Sequence, residues 1–473
     1  MTAELIKSFQ ALRVLVVGLG RFGGGVGVTR WLASQGAHVV VSDQAGETDL
    51  AESVRQIADL DVELRLGGHG ETDLDGCDLV VINPAVDKLK SAYFQKIVRR
   101  DLPWTTELNL FCERCPAVVV GVTGSFGKST TSAMIAAGLE AAANGGRSGP
   151  RRVHLGGNIG NSLLDSLNDM TAHDVVVLEL SSAQLEDAPR IDWAPDVAVI
   201  TNIRPHHLDR HGTYEAYIDA KLNITRRPRD SRTGHLRTES LPLVLGALDD
   251  VTRLMLERRV LDSARRLVRV SPLPEDFRLK APGDHNRVNA ACALAAIEAA
   301  GFGCDEATSA VATFPGLPHR LEHVSVSAGV NWINDSKSTA PSATVTALRA
   351  LNGRSVLAIV GGQRKEGVSY EELAEELLHR CRAVICFGEA GPAIAATITS
   401  HQQILESGSV PVRVAGRVDD ALQTAAILAQ EGDSVLFSPG TPSFDAFHNY
   451  ADRGRRFVEL VRTLPSAELL KPG

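Results

Sequence analysis

Apolar positions in this chain cluster in short β-branched runs, and between them lie alanine-rich or amphipathic stretches with helical spacing. Arg13–Val17, His38–Val41 and Leu79–Ile82 are the runs of the first hundred residues. The first feeds a predicted helix from Val26 to Gln35, the second closes on Ser42-Asp43, and the third on Asn83-Pro84. Val118–Val120, Asp174–Leu178 and Val197–Ile200 repeat the pattern, with helices predicted over Ser132–Ala143 and Tyr214–Ile224. Another alanine-rich helix opens at Gly283-Asp284-His285-Asn286 and carries Asn289. Beyond Gly316, Leu317 to Glu322 reads as a hinge followed by a strand. Val356–Val360, Ala383–Phe387 and Ser434–Phe437 then each run into glycine or serine. Strands alternating with helices predict mainly parallel sheets, which bind ligands at the carboxyl ends of their strands. The expected class is α/β in three domains, 1–112, 113–316 and 317–473.

Composition narrows this only a little. At 473 residues, 44% hydrophobic and 22% charged, the chain reads as an ordinary multidomain globular protein. A net charge of −8 with no basic tract argues against a nucleic-acid partner. No signal peptide and no apolar run of membrane-spanning length is evident. The seven cysteines are scattered, and Cys112-x-x-Cys115 lacks the second pair a zinc site needs. A cytoplasmic enzyme with reduced thiols is expected.

The chemistry centres on Gly121-Val122-Thr123-Gly124-Ser125-Phe126-Gly127-Lys128-Ser129-Thr130-Thr131, between an apolar run and a helix. Strand, glycine loop and helix N-terminus together turn backbone N–H groups onto phosphate oxygens. In this variant loop, Lys128 would reach the terminal phosphates and Ser129 a Mg²⁺ ion; the plainer alternative is a glycine turn with no ligand. Nearer the start, Gly18-Leu19-Gly20-Arg21-Phe22-Gly23 opens a helix, and Asp43 follows about twenty residues later, where a ribose-binding acid belongs. That fingerprint alone suits a nicotinamide-dependent oxidoreductase, but such an enzyme leaves the Lys128 loop and the third domain unexplained. Glu179, at the end of an apolar run, is placed like a metal-binding acid, or like a strand-terminal salt-bridge partner. Thr201 to His211 is the densest polar cluster and offers His206, His207 and Asp209 as ligands for Mg²⁺ or Mn²⁺, or as contacts to an anionic substrate; a solvated loop is the alternative. Lys221 on its helix reads locally as surface decoration.

Together these motifs resemble the Mur ligases, ATP-dependent amide-forming enzymes of cell-wall synthesis, over nearly the whole chain. Leu178 to Glu186, and Ser438 to Asp445 with Phe447 through Gly454, resemble the branch that adds D-glutamate to UDP-N-acetylmuramoyl-L-alanine. The resemblance implies a Rossmann-like UDP-binding domain, a central P-loop ATPase-like domain with a mostly parallel sheet, and a Rossmann-like C-terminal domain. It implies ATP contacts from Gly124, Ser125, Phe126, Gly127, Lys128, Ser129, Thr130, Asn289, Arg320 and Asp335. Two Mg²⁺ ions, with Mn²⁺ an alternative, would be held by Ser129 and Glu179 and by His207 and a carbamylated Lys221. Gly18, Leu19, Gly20, Arg21, Phe22, Asp43, Asn83, Asn158 and Gln184, together with His207, would contact the UDP-sugar. Thr339, Lys365, Ser443, Phe444 and Tyr450 would contact D-glutamate. A monomer is expected, with the third domain closing over the second about a hinge near Phe314 to Pro318. Phe126 stands where the family has asparagine or another small or polar residue, His206 where it has an acid, and Tyr450 where phenylalanine is common. Phe126 and His206 are the support for a nucleotide-binding regulator built on the same scaffold. Ligases that add glutamate to folate are a further alternative, which the N-terminal nucleotide domain argues against.

Overall fold

The computed structural model describes residues 6, 8–20, 23–145, 149–160, 162–227, 239–263, 265–281, 283–351, 355–405 and 410–464. Three sheets follow one another along the chain, and each is flanked by helices. The first contains β1 (Arg13–Val17), β2 (His38–Asp43), β3 (Glu63–Leu66), β4 (Leu79–Ile82) and β5 (Trp104–Thr105), all parallel, in the order β3-β2-β1-β4-β5. Alternation along β1 explains why this sheet is covered on both faces. Val14 and Val16 pack with Trp31 and Leu32 on one side, while Leu15 and Val17 pack with Phe94 and Ile97 on the other.

The second sheet holds β6 (Val118–Thr123), β7 (Val153–Gly157), β8 (Val175–Glu179), β9 (Val197–Ile203), β10 (Leu241–Leu248) and β11 (Arg265–Arg269). It too is wholly parallel, ordered β11-β10-β9-β6-β8-β7. After β6 the chain builds β7 and β8 on one side and then crosses to β9 on the other. The carboxyl end of β6 is therefore the topological switch point, where parallel sheets open a crevice.

The third sheet comprises β12 (Glu322–Ser327), β13 (Val330–Asn334), β14 (Val356–Gly361), β15 (Cys381–Phe387), β16 (Val412–Ala415) and β17 (Ser434–Phe437), ordered β12-β13-β17-β14-β15-β16. Only the β12–β13 hairpin is antiparallel. Val356, Ala358 and Val360 pack with Leu373 and Ile394 on one face, while Leu357 and Ile359 pack with Phe437 and Phe457 on the other.

The chain divides into two compact units, 1–279 with 286–314 and 280–285 with 315–473. The first two sheets thus share a unit. Strands legible as apolar runs end within a few residues of their expected limits, and β12 is the strand expected after the turn at Leu317 to Glu322, whereas β3, β5, β7, β10, β11, β13 and β16 fall outside those runs. No helix among the described residues is long and apolar enough to cross a membrane.

Candidate active site

The loop after β6 is bound to the end of β9. Ser125 N–H donates to Asn202 O (2.9 Å) and Phe126 N–H to Asn202 Oδ1 (3.0 Å). Phe126 O accepts from Asn202 Nδ2 (2.9 Å) and Thr201 Oγ1 (2.7 Å). The Ser125 hydroxyl turns inward, 2.9 Å from both Arg204 O and Tyr217 Oη, so both hydrogen-bond donors of Ser125 are engaged within the protein. Gly127 has φ 81°, and a Cβ there would overlap the side chain of buried Asn289. The helix Lys128–Gly145 starts immediately after it, with Ser129 and Thr130 buried at its first turn. Sequence reasoning missed Asn202, Thr201 and Tyr217, because they serve the loop only once β9 lies beside β6.

Two lysines converge on one carbonyl. Lys128 Nζ donates to Gly124 O (2.9 Å) and Ser125 O (3.3 Å), and Lys221 Nζ donates to the same Gly124 O (2.9 Å). Lys221 is 1% exposed, contrary to its local reading as surface decoration: its helix Tyr214–Leu222 packs against the loop. Burial, with the neighbouring Lys128 charge, holds its amine well below the usual lysine range, and Glu179 opposes this. Glu179 ends β8 in register with Val122 and is 1% exposed. Its Oε1 accepts from Asn158 Nδ2 (2.8 Å), while its buried Oε2 has no hydrogen-bond partner among the described residues. A buried carboxylate oxygen left open within electrostatic reach of Lys221 fits a hard cation with oxygen ligands. His207 is exposed, in a left-handed conformation (φ 52°, ψ 36°), at the N-terminal cap of the short helix Leu208–His211. Gln184 Oε1 accepts from Ser181 N–H (3.0 Å) and Ser181 Oγ (2.9 Å), so the oxygen end of the amide is held by the turn of its own helix.

At the carboxyl edge of the first sheet, Gly18, Gly20, Asp43 and Asn83 come together. Asn83 Nδ2 donates to Gly18 O (3.1 Å), and Gly20 N–H donates to Asp43 Oδ2 (3.0 Å). Asp43 Oδ1 also accepts from Ala45 N–H (2.8 Å), so the expected ribose acid bonds the glycine turn with one oxygen and the turn after β2 with the other. Leu19 is fully buried, and Arg21 and Phe22 lie outside the described residues.

In the other unit, Asp335 follows β13 and is buried. Its Oδ2 accepts from Ser338 Oγ (2.6 Å) and Ser438 Oγ (2.7 Å), and its Oδ1 from Leu321 N–H (3.1 Å). Burial pushes this carboxyl up to about 6 against those hydrogen bonds. The loops carrying Lys365 and Ser443 are joined, with Gln363 N–H on Pro442 O (3.0 Å) and Thr441 Oγ1 on Gly361 O (2.7 Å). Thr339, Lys365 and Phe444 are exposed and Ser443 is buried, while Tyr450 faces Lys337 Nζ at 5.3 Å. Arg320 is half-buried in the turn before β12. Arg453, fully buried, binds the loops from beneath through Ser336 O (2.9 Å), Thr441 O (3.0 Å) and Pro442 O (3.0 Å).

Similarity to known proteins runs the length of this architecture. Three family profiles match in order: Mur ligase MurD-like N-terminal domain over 12–104, Mur ligase middle domain over 122–238, and Mur ligase glutamate ligase domain over 319–440. A UDP-N-acetylmuramoylalanine–D-glutamate ligase of Roseiflexus sp. (strain RS-1) is 37% identical over 95% of this chain and 98% of its own. The enzyme of the same name from Geotalea uraniireducens (strain Rf4) is 35% identical over 96% of this chain and 97% of its own. The chain belongs to the Mur ligase family. Its fold is that of the UDP-N-acetylmuramate-alanine ligase of Thermotoga maritima, with a TM-score of 0.58 at 18% identity over 96% of this chain and 99% of the other. A Mycobacterium tuberculosis folylpolyglutamate synthase complexed with ADP gives a TM-score of 0.55 at 16% identity, covering 76% of this chain and 94% of its own.

Proposed function

We propose that this Mur ligase joins D-glutamate to UDP-N-acetylmuramoyl-L-alanine at the expense of ATP, in the cytoplasmic synthesis of peptidoglycan precursors. The observation that carries the reading is the meeting of Lys128, Lys221 and the half-satisfied Glu179 at the carboxyl end of β6. A carboxylate is a poor acyl donor near neutral pH, and phosphorylation by ATP gives it a good leaving group. The amine of D-glutamate then attacks the acyl phosphate, and the tetrahedral intermediate collapses to amide and phosphate.

In this reading the loop from Gly124 to Thr130 holds the triphosphate, with Lys128 neutralising charge as the phosphoryl group moves. Ser129 and Glu179 would hold one Mg²⁺, and His207 with a carbamylated Lys221 a second; Mn²⁺ suits the same donors. Bound there, the ions would neutralise phosphate charge and align the reacting oxygens. Asn289, Arg320 and Asp335 serve the rest of ATP. Asn158, Gln184 and His207 serve the muramoyl-alanine end, and the Gly18–Gly20 turn with Asn83 and Asp43 serves UDP. Thr339, Lys365, Ser443, Phe444 and Tyr450 receive D-glutamate, with Lys365 the leading clamp for a carboxylate. The domain limits proposed are 1–112, 113–316 and 317–473, in a monomer.

Phosphate release measured with the UDP-sugar and each amino acid in turn tests this. D-glutamate alone should support turnover; equal rates with L-glutamate, or none with either, would refute it. Lys128→Ala should lose essentially all activity while remaining folded by circular dichroism.

A further inference from the structure

Phe126 and His206, the two departures beside the phosphate loop, touch each other. Their ring centroids lie 5.7 Å apart with planes at 72°, an edge-to-face contact. His206 in turn stands edge-on to His207 at 4.0 Å and 87°, and His207 lies 6.5 Å from the ring of Tyr217. Tyr217 Oη is 2.9 Å from Ser125 Oγ, which returns the path to the residue before Phe126. Contacts therefore leave the loop through one residue and re-enter it through its neighbour, passing His207 on the way.

Two further features give this circuit a purpose. Phe126 is 39% exposed, so burial does not account for an aromatic ring there, while both its N–H and C=O are pinned by Asn202. His207 holds a left-handed backbone (φ 52°), a conformation uncommon among non-glycine residues. From this geometry we infer that Phe126 and His206 are a matched pair of positioning residues that set the orientation of the His207 imidazole. The inference rests on the proposed reading in one respect only, that His207 faces a metal-bound nucleotide.

The test is a double-mutant cycle with Phe126→Leu, which keeps the volume but removes the ring edge, and His206→Asn. Mn²⁺ binding is measured in the presence of a nonhydrolysable ATP analogue. Each single variant should weaken binding by about five-fold, the worth of one aromatic pair. The double variant should be no worse than either single. A loss near the product of the two, about twenty-five-fold, would mean independent sites and overturn the pairing. NMR of the histidine ring C–H resonances in the metal-free, nucleotide-free protein gives a second readout. Phe126→Leu should shift both His206 and His207; an unmoved His207 sinks the proposal even if thermal unfolding is unchanged. Because that spectrum needs no substrate, a wild type without D-glutamate turnover would refute the proposed function and leave this inference to be judged separately.

Discussion

Lys221 and Asp335 show how burial turns ordinary side chains into tuned ones. Burial lowers the Lys221 amine below its usual range and so favours its neutral form, and only a neutral amine adds to carbon dioxide. Activity should therefore fall in carbon-dioxide-stripped buffer and return with added bicarbonate; Lys221→Arg, which cannot form the carbamate, should be inactive and unresponsive. Asp335 carries the opposite cost. Its carboxyl is pushed from 3.8 to about 6, so between those values the folded state keeps a proton that the unfolded state has lost. Stability from this group is complete below about pH 4 and lost as pH rises through about 6, by about 3 kcal/mol. Asp335→Asn should flatten that decline, as read from denaturation midpoints of the wild type and variant between pH 4 and 7.

Among the elements, the phosphate loop depends on its neighbouring strand as much as on its glycines. Asn202, near the end of β9, donates and accepts across both sides of Phe126 and so fixes the direction of the loop amides. Asn202→Ala removes both bonds, each worth about 1 kcal/mol net. Calorimetric titration with ATP should show affinity weakened by up to about thirty-fold, with the far-ultraviolet spectrum unchanged. The loop's presence was legible, because Gly124, Gly127 and Lys128 sit between an apolar run and a helix. Its anchoring was not, because nothing local distinguishes Asn202 from the other polar residues of Thr201 to His211. Weaker strands escaped notice for a related reason. β3 carries Glu63 and Arg65 at a sheet edge, and β11 carries three arginines, so neither makes an apolar run.

Across the whole molecule, the first two sheets are joined by polar contacts that no motif announces. Lys88 Nζ lies 2.7 Å from Asp187 Oδ2, with both side chains largely buried. Arg190 lies over the Trp104 ring at 3.6 Å, and Arg210 donates to Pro84 O at 3.0 Å. Burial raises the Asp187 carboxyl even with Lys88 beside it. Lys88→Met, which strands that carboxylate, should cost about 3 kcal/mol in urea denaturation, and Lys88→Met with Asp187→Leu should recover most of it. By itself the sequence determined the features that act over a few residues: alternating strands and helices, the glycine turn at Gly18, the loop ending in Lys128, and the acid closing β8. Periodicity and backbone freedom are local properties, and they survive in one dimension. Only the tertiary structure decided that Lys221 is buried against Gly124, that Asp43 bonds the glycine turn at Gly20, that Arg453 ties Ser336 to Thr441, and that Phe126 meets His206. Burial, electrostatic tuning and ring contacts depend on which distant segments pack together, and that is settled when the sheets assemble.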